Sequence, residues 1–130
     1  MTDNNLPDWL QAFADRAVVL LALDKWPMKI RLVRAPGGDP EREGHSIVNT
    51  RYLTAQIEIN EIMTREGLQS TLLHELLHVA LAPIEQSHLR VIELTPRKLR
   101  KHADELFSDG IEQTVEQLTR ALLPVVQAEE

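Results

Sequence analysis

An α+β domain is predicted by three features of the chain. Apolar residues recur at three- and four-residue spacing before residue 24, alternation replaces that spacing between residues 28 and 60, and helical spacing returns afterwards. The order is an N-terminal helix, a small sheet of two or three strands, then helices. The whole fits one domain over residues 1–130, long enough for a sizeable single core.

The first helix is expected from Pro7 to about Leu23, with Trp9, Leu10, Phe13, Ala17 and Leu21 on its apolar face and Pro7 in the first turn, where proline is tolerated. Trp9 and Phe13 are core residues at helical spacing. Met28 to Arg34 alternates as a strand, with Met28, Ile30 and Leu32 on one face. The run from Ala35 to Gly44 is rich in glycine, proline and charge, and reads as a solvated loop. A second strand is expected within Ser46 to Leu53 and a third from Ala55 to Asn60. A long helix follows from about Arg65 to Ala82, stopped by Pro83. Between Ile84 and Leu94 the pattern is ambiguous. Thr95-Pro96 reads as a cap and a first-turn proline opening a helix to about Phe107, with Leu99, Ala103 and Leu106 on its buried stripe. Ser108-Asp109-Gly110 reads as a break before a last helix, Ile111 to Leu123, with Ile111, Val115, Leu118 and Leu122 facing the core.

Composition narrows the function classes. Hydrophobic residues make up 43% and charged residues 26%, as in folded domains rather than disordered ones. The net charge of −6 argues against a nucleic-acid partner, which would call for concentrated positive charge. The one basic cluster, Arg97, Lys98, Arg100 and Lys101, has no interleaved aromatic to stack a base and reads as a solvated helix face. With no cysteine, disulfide scaffolds, cysteine zinc ribbons and thiol nucleophiles are all excluded. The longest apolar run, Ala17 to Leu23, is far too short for a membrane span, and Met1 to Asn5 lacks the basic and apolar blocks of a signal peptide. A cytoplasmic location is the default expectation, with no membrane partner. Nothing in the sequence points to an oligomeric state.

The chemistry concentrates in Thr71-Leu-Leu-His-Glu-Leu-Leu-His-Val-Ala80. His74 and His78 lie four apart on a helix, so their rings leave one face a turn apart and can close on one metal ion. Glu75 is rotated by about 100° from His74. It can stand beside the metal without ligating it, within reach of a metal-bound water. Leu72, Leu73, Leu76, Leu77, Val79 and Leu81 surround the three polar residues. Burying two imidazoles and a carboxylate without partners costs a few kcal/mol or more, and a divalent cation satisfies all three.

The stretch resembles the active-site helix of the zincin metallopeptidases. Thr71 stands three residues before the first histidine, and uncharged Leu72, Leu76, Leu77, Val79 and Ala80 fill the positions around and between the ligands, as that signature asks. The likeness extends to minimal zincin-like domains of phage and bacterial genomes, in which a short strand along the cleft precedes this helix, as Ala55–Asn60 does here. It implies a zinc-dependent peptidase. Two neighbouring families do not fit: a metzincin has glycine where Leu81 stands and histidine where Ile84 stands, and peptide deformylases take a ligand from cysteine.

A catalytic zinc site has three protein ligands and one open position. The gluzincin pattern of a downstream glutamate, with a second acidic residue one turn on, resembles Glu112 and Glu116. At about 100° per residue, Glu112 falls nearer the apolar stripe than Glu116 does. Glu112 then suits the third ligand and Glu116 a role in orienting a ligand histidine. Competing readings stand beside these. Asp109 and Glu112 fit a capping box, and Glu116 can pair with Arg120. His102 is a rival third ligand, as in SprT-like zincins, although Ala103 and Leu106 depart from that pattern. His88, in the ambiguous segment, and His45, in a loop, are weaker candidates.

These residues lead us to expect hydrolysis of a peptide or protein substrate by a zinc-activated water, with Glu75 as general base. Ala55–Asn60 would pair with the extended substrate backbone. The alternative is a non-catalytic protein-binding module of the same fold, with structural or vestigial zinc.

Overall fold

The computed structural model describes residues 5–128. Helix α1 (Asp8–Leu20) leads to strand β1 (Met28–Val33), a short 3-10 turn (Pro36–Gly38), and strands β2 (Gly44–Asn49) and β3 (Thr54–Asn60). Two long helices follow, α2 (Arg65–Leu94) and α3 (Arg97–Gln127). The α+β layout is as expected.

The sheet order is β1-β3-β2, with β1 parallel and β2 antiparallel to the central β3. Alternation along β3 buries Ala55, Ile57 and Ile59 against the helices and leaves Gln56 and Glu58 on the outer face. There Glu58 pairs with Arg31 at 3.3 Å and accepts the Gly37 N–H at 2.9 Å. The first half of α2 packs against β2 and β3, while α1 and α3 cover its other sides. Leu10 and Phe13 of α1, Leu72, Leu73 and Leu76 of α2 and Val115 of α3 form the centre of the core.

Element boundaries differ from expectation where local conformation intervenes. α1 ends at Leu20 because Ala22 takes a left-handed conformation (φ 57°), and the Ala22 and Leu23 N–H groups cap the carbonyls of Val19 and Val18. Pro7 is the residue before the helix rather than part of its first turn. β2 starts earlier than expected, at Gly44, and ends at Asn49, whose side chain accepts the Arg51 and Tyr52 N–H groups and turns the chain. Thr64 caps α2 by accepting the Gly67 N–H at 3.1 Å.

Three larger corrections concern the helices. α2 runs through Pro83 to Leu94 instead of stopping at Ala82. Proline removes one backbone bond and crowds the preceding turn, but packing against α3 continues beyond it: His88 stacks on Phe107 at 3.8 Å and meets Asp104 at 3.2 Å. Thr95 closes α2, donating its hydroxyl to the Val91 carbonyl, and Pro96 precedes the first turn of α3, so Thr95 is not an N-cap. α3 is unbroken across Ser108-Asp109-Gly110. A helical glycine costs only about 1 kcal/mol, which contact along α2 and α1 offsets. The expected stripe of Leu99 and Leu106 is exposed, because this half of α3 belongs to a hairpin that extends from the body with the end of α2. At its tip Arg100 bonds the carbonyls of Glu93 and Thr95. Arg16 and Gln69 tie down the far end of α3 through the Val126 carbonyl and Gln127.

No helix among the described residues is long and apolar enough to cross a membrane.

Candidate metal centre

The helical spacing of the two histidines does what it predicts. His74 and His78 leave the same face of α2 with ring centroids 5.0 Å apart. Both are largely buried, with side-chain exposures of 22% and 16%. Their Nε2 atoms turn toward α3, where the Glu112 carboxylate spans them: one oxygen lies 2.9 Å from His78 Nε2, the other 3.6 Å from His74 Nε2. His74, His78 and Glu112 each offer a ligand atom, all within 4.8 Å of one another. Ligands bound at about 2.0–2.1 Å in a tetrahedron lie roughly 3.3 Å apart, so these three atoms would have to draw closer together to hold a zinc-sized cation. Two imidazoles and a carboxylate are also a donor set suited to zinc.

The unbroken course of α3 removes one of the two readings of Glu112. With no helix start at Asp109 there is no capping box, and the Glu112 carboxylate is directed at the histidines. Glu116, one turn on, places an oxygen 3.2 Å from His74 Nδ1 rather than pairing with Arg120. The expected difference in burial between the two is absent, at 57% and 54% side-chain exposure. His102 is exposed and is not brought to this cluster. On a continuous helix it lies about 15 Å along the axis from Glu112. His88 is engaged by Asp104 and His45 by Arg42.

Glu75 is 8% exposed. Its side chain borders a cleft of about 380 Å³ lined by Glu43, Gly44, Ser70, Thr71, His74, Glu75 and Glu116. Gly44 forms the opposite wall so closely that a Cβ there would lie 2.8 Å from Thr71 Cγ2 and 3.0 Å from Glu75 Oε1.

No family model matches the chain, and comparison with curated proteins and with solved structures gives no match either. What the centre can do therefore follows from its own geometry.

One expectation about the cleft changes. β3 is paired on both edges and has no free backbone groups for an extended peptide. The edge strand beside the cleft is β2. The Glu43 carbonyl accepts from Asn60 N–H at 2.8 Å, which sets the phase of the ladder. Gly44, Ser46 and Val48 therefore direct their backbone groups to the outer edge, where no strand among the described residues pairs with them.

Two residues at the site were invisible to the sequence reading. Gly44 lay in a segment read as loop, and its approach to Glu75 is purely tertiary. Glu85 places an oxygen 3.5 Å from His78 Nδ1. Its spacing of seven residues, about two helical turns, was a usable signal, but it was hidden by ending the helix at Pro83.

Proposed function

We propose that the chain is a zinc-dependent peptidase in which His74, His78 and Glu112 hold the metal and Glu75 is the general base. The observation that carries this reading is the convergence of three ligand atoms within 4.8 Å, one of them on His74, which lines an open cleft together with the buried Glu75. Three protein ligands leave a position for water, as a catalytic zinc requires. When bound, zinc would supply Lewis-acid chemistry, lowering the pKa of water to about 7 and offsetting oxyanion charge.

The chain's own residues would do the rest. Glu75 takes the proton as the water oxygen bonds to the peptide carbonyl carbon, then delivers it to the leaving amine as the C–N bond breaks. Glu116 fixes His74 through Nδ1, leaving Nε2 for the metal. The outer edge of β2 aligns an extended substrate by backbone hydrogen bonds, with Gly44 letting that strand pack closely against Thr71 and Glu75.

Glu75→Gln tests this directly, because it keeps the side chain's shape and removes the base. The variant should retain one equivalent of zinc and lose peptide hydrolysis by about 100-fold or more. Undiminished hydrolysis would end the proposal.

A further inference from the structure

We infer that the chain pairs with a second copy of itself through an apolar face of the α2–α3 hairpin, the two hairpins lying antiparallel about a two-fold axis. The inference uses no residue of the candidate metal centre and stands apart from the peptidase reading.

The hairpin has two unlike faces. One carries a recess that Leu89 of α2 and Asp104 of α3 help to line, and that continues to Glu112. At about 100° per residue, Ile84 and Val91 lie roughly 140–160° around α2 from Leu89. Leu99 and Leu106 lie the same roughly 140–160° around α3 from Asp104. All four therefore emerge on the opposite face, and each is more than half exposed. Spacing of seven residues keeps each pair within about 20° of one line along its helix. His88 meets both Asp104 and Phe107, so the middles of the two lines stand within about one helical turn of the same level. Single exposed leucines are ordinary, but two aligned apolar ridges on one helix pair are half the core of a four-helix bundle.

Charge selects what covers this face. Along the outer flank of α3, Lys98 lies toward the tip, and Glu105 and Asp109 lie toward the body, all within about 40° of one line. None of the three takes part in an ion pair among the described residues. A two-fold axis that exchanges Leu99 with Leu106 sets Lys98 of one protomer level with the gap between Glu105 and Asp109 of its partner. The same axis lays α2 on α2, with Ile84 of one protomer toward Val91 of its partner. Each copy thus supplies both signs of charge and both ends of each ridge, as an isologous interface requires. Parallel pairing would instead bring together two tips that each carry Arg97, Lys98, Arg100 and Lys101, and these would repel. A uniformly acidic partner would suit the tip but would set like charge against Glu105 and Asp109.

Sedimentation equilibrium of the full chain over a range of concentrations tests this, with circular dichroism to show that each variant is folded. At about 100 µM the parent should sediment at twice the 14.8 kDa chain mass. Val91→Asp combined with Leu106→Asp should weaken the dimer by more than about 30-fold, because pairing would bury those charges against apolar surface. Leu89→Asp, an equal change on the recess face, should leave the dissociation constant within about threefold of the parent. Lys98→Glu should weaken the dimer by about 3–10-fold, and adding Glu105→Lys and Asp109→Lys should restore it. A parent that stays monomeric overturns the inference. So does a dimer that survives the paired aspartates, or one that Leu89→Asp disrupts equally. A charge-swapped protein that pairs no better than Lys98→Glu overturns the antiparallel arrangement.

Discussion

The two halves of α2 share one helix and little else. From Leu68 to Ala82 the helix lies between the sheet and its helical neighbours, with Leu72, Leu73, Leu76 and Val79 fully buried. From Pro83 to Leu94 it leans on α3, and Ile84, Leu89, Val91 and Leu94 are exposed. The candidate metal centre sits where the two regimes meet. His74 and His78 are held by the core, and Glu85 by the hairpin. Core packing thus backs the helix turn that carries the two histidines, while the hairpin is held by a few polar and ring contacts.

Truncating a core side chain should separate the two halves most sharply. Leu73→Ala should destabilise the fold by about 2–5 kcal/mol in chemical denaturation, whereas Leu94→Ala should change it by no more than about 0.5 kcal/mol. Similar losses at both positions would break the contrast. Amide exchange offers a finer view: residues 72–79 should open only on global unfolding, and residues 88–94 well below that free energy.

A smaller effect is expected where the sheet touches the buried half. Gly44→Val should cost about 1–3 kcal/mol, because its side chain would collide with Thr71 and Glu75, and should depress hydrolysis while zinc stays bound. Full activity in that variant would mean that the wall opposite Glu75 is soft.

The smallest effect belongs to the hairpin side of α3. Gly110 is helical and has open space where a Cβ would go, so Gly110→Ala should stabilise the protein by about 0.5–1 kcal/mol in thermal or chemical melts. A destabilised variant would show that the glycine is used in a way the packing does not reveal.

The same division explains what the sequence revealed. Where a segment is half-buried on a regular surface, its periodicity is enforced by packing, and so the strands at Met28 and Ala55 and the helix carrying His74 and His78 were legible. The histidine pair and Glu75 could be placed because helical geometry alone fixes their relation. Pro83 and Gly110 misled, since their local cost was judged without the tertiary contact that offsets it. That error hid Glu85 and kept the capping alternative for Glu112 open. Strand order leaves no trace in alternation, so alternation does not show that β3 is central and that the edge beside the cleft is that of β2.

The central claim is that one zinc ion can be held between His74, His78 and Glu112. X-ray absorption at the zinc edge, on protein loaded with one equivalent of zinc, tests it most directly when the parent is compared with Glu112→Ala. The account predicts tight binding of a single ion, two imidazoles and oxygen donors at about 2.0–2.1 Å, and loss of one oxygen donor or of the metal itself in the variant. A parent that binds no zinc, or a coordination shell without two imidazoles, would contradict it.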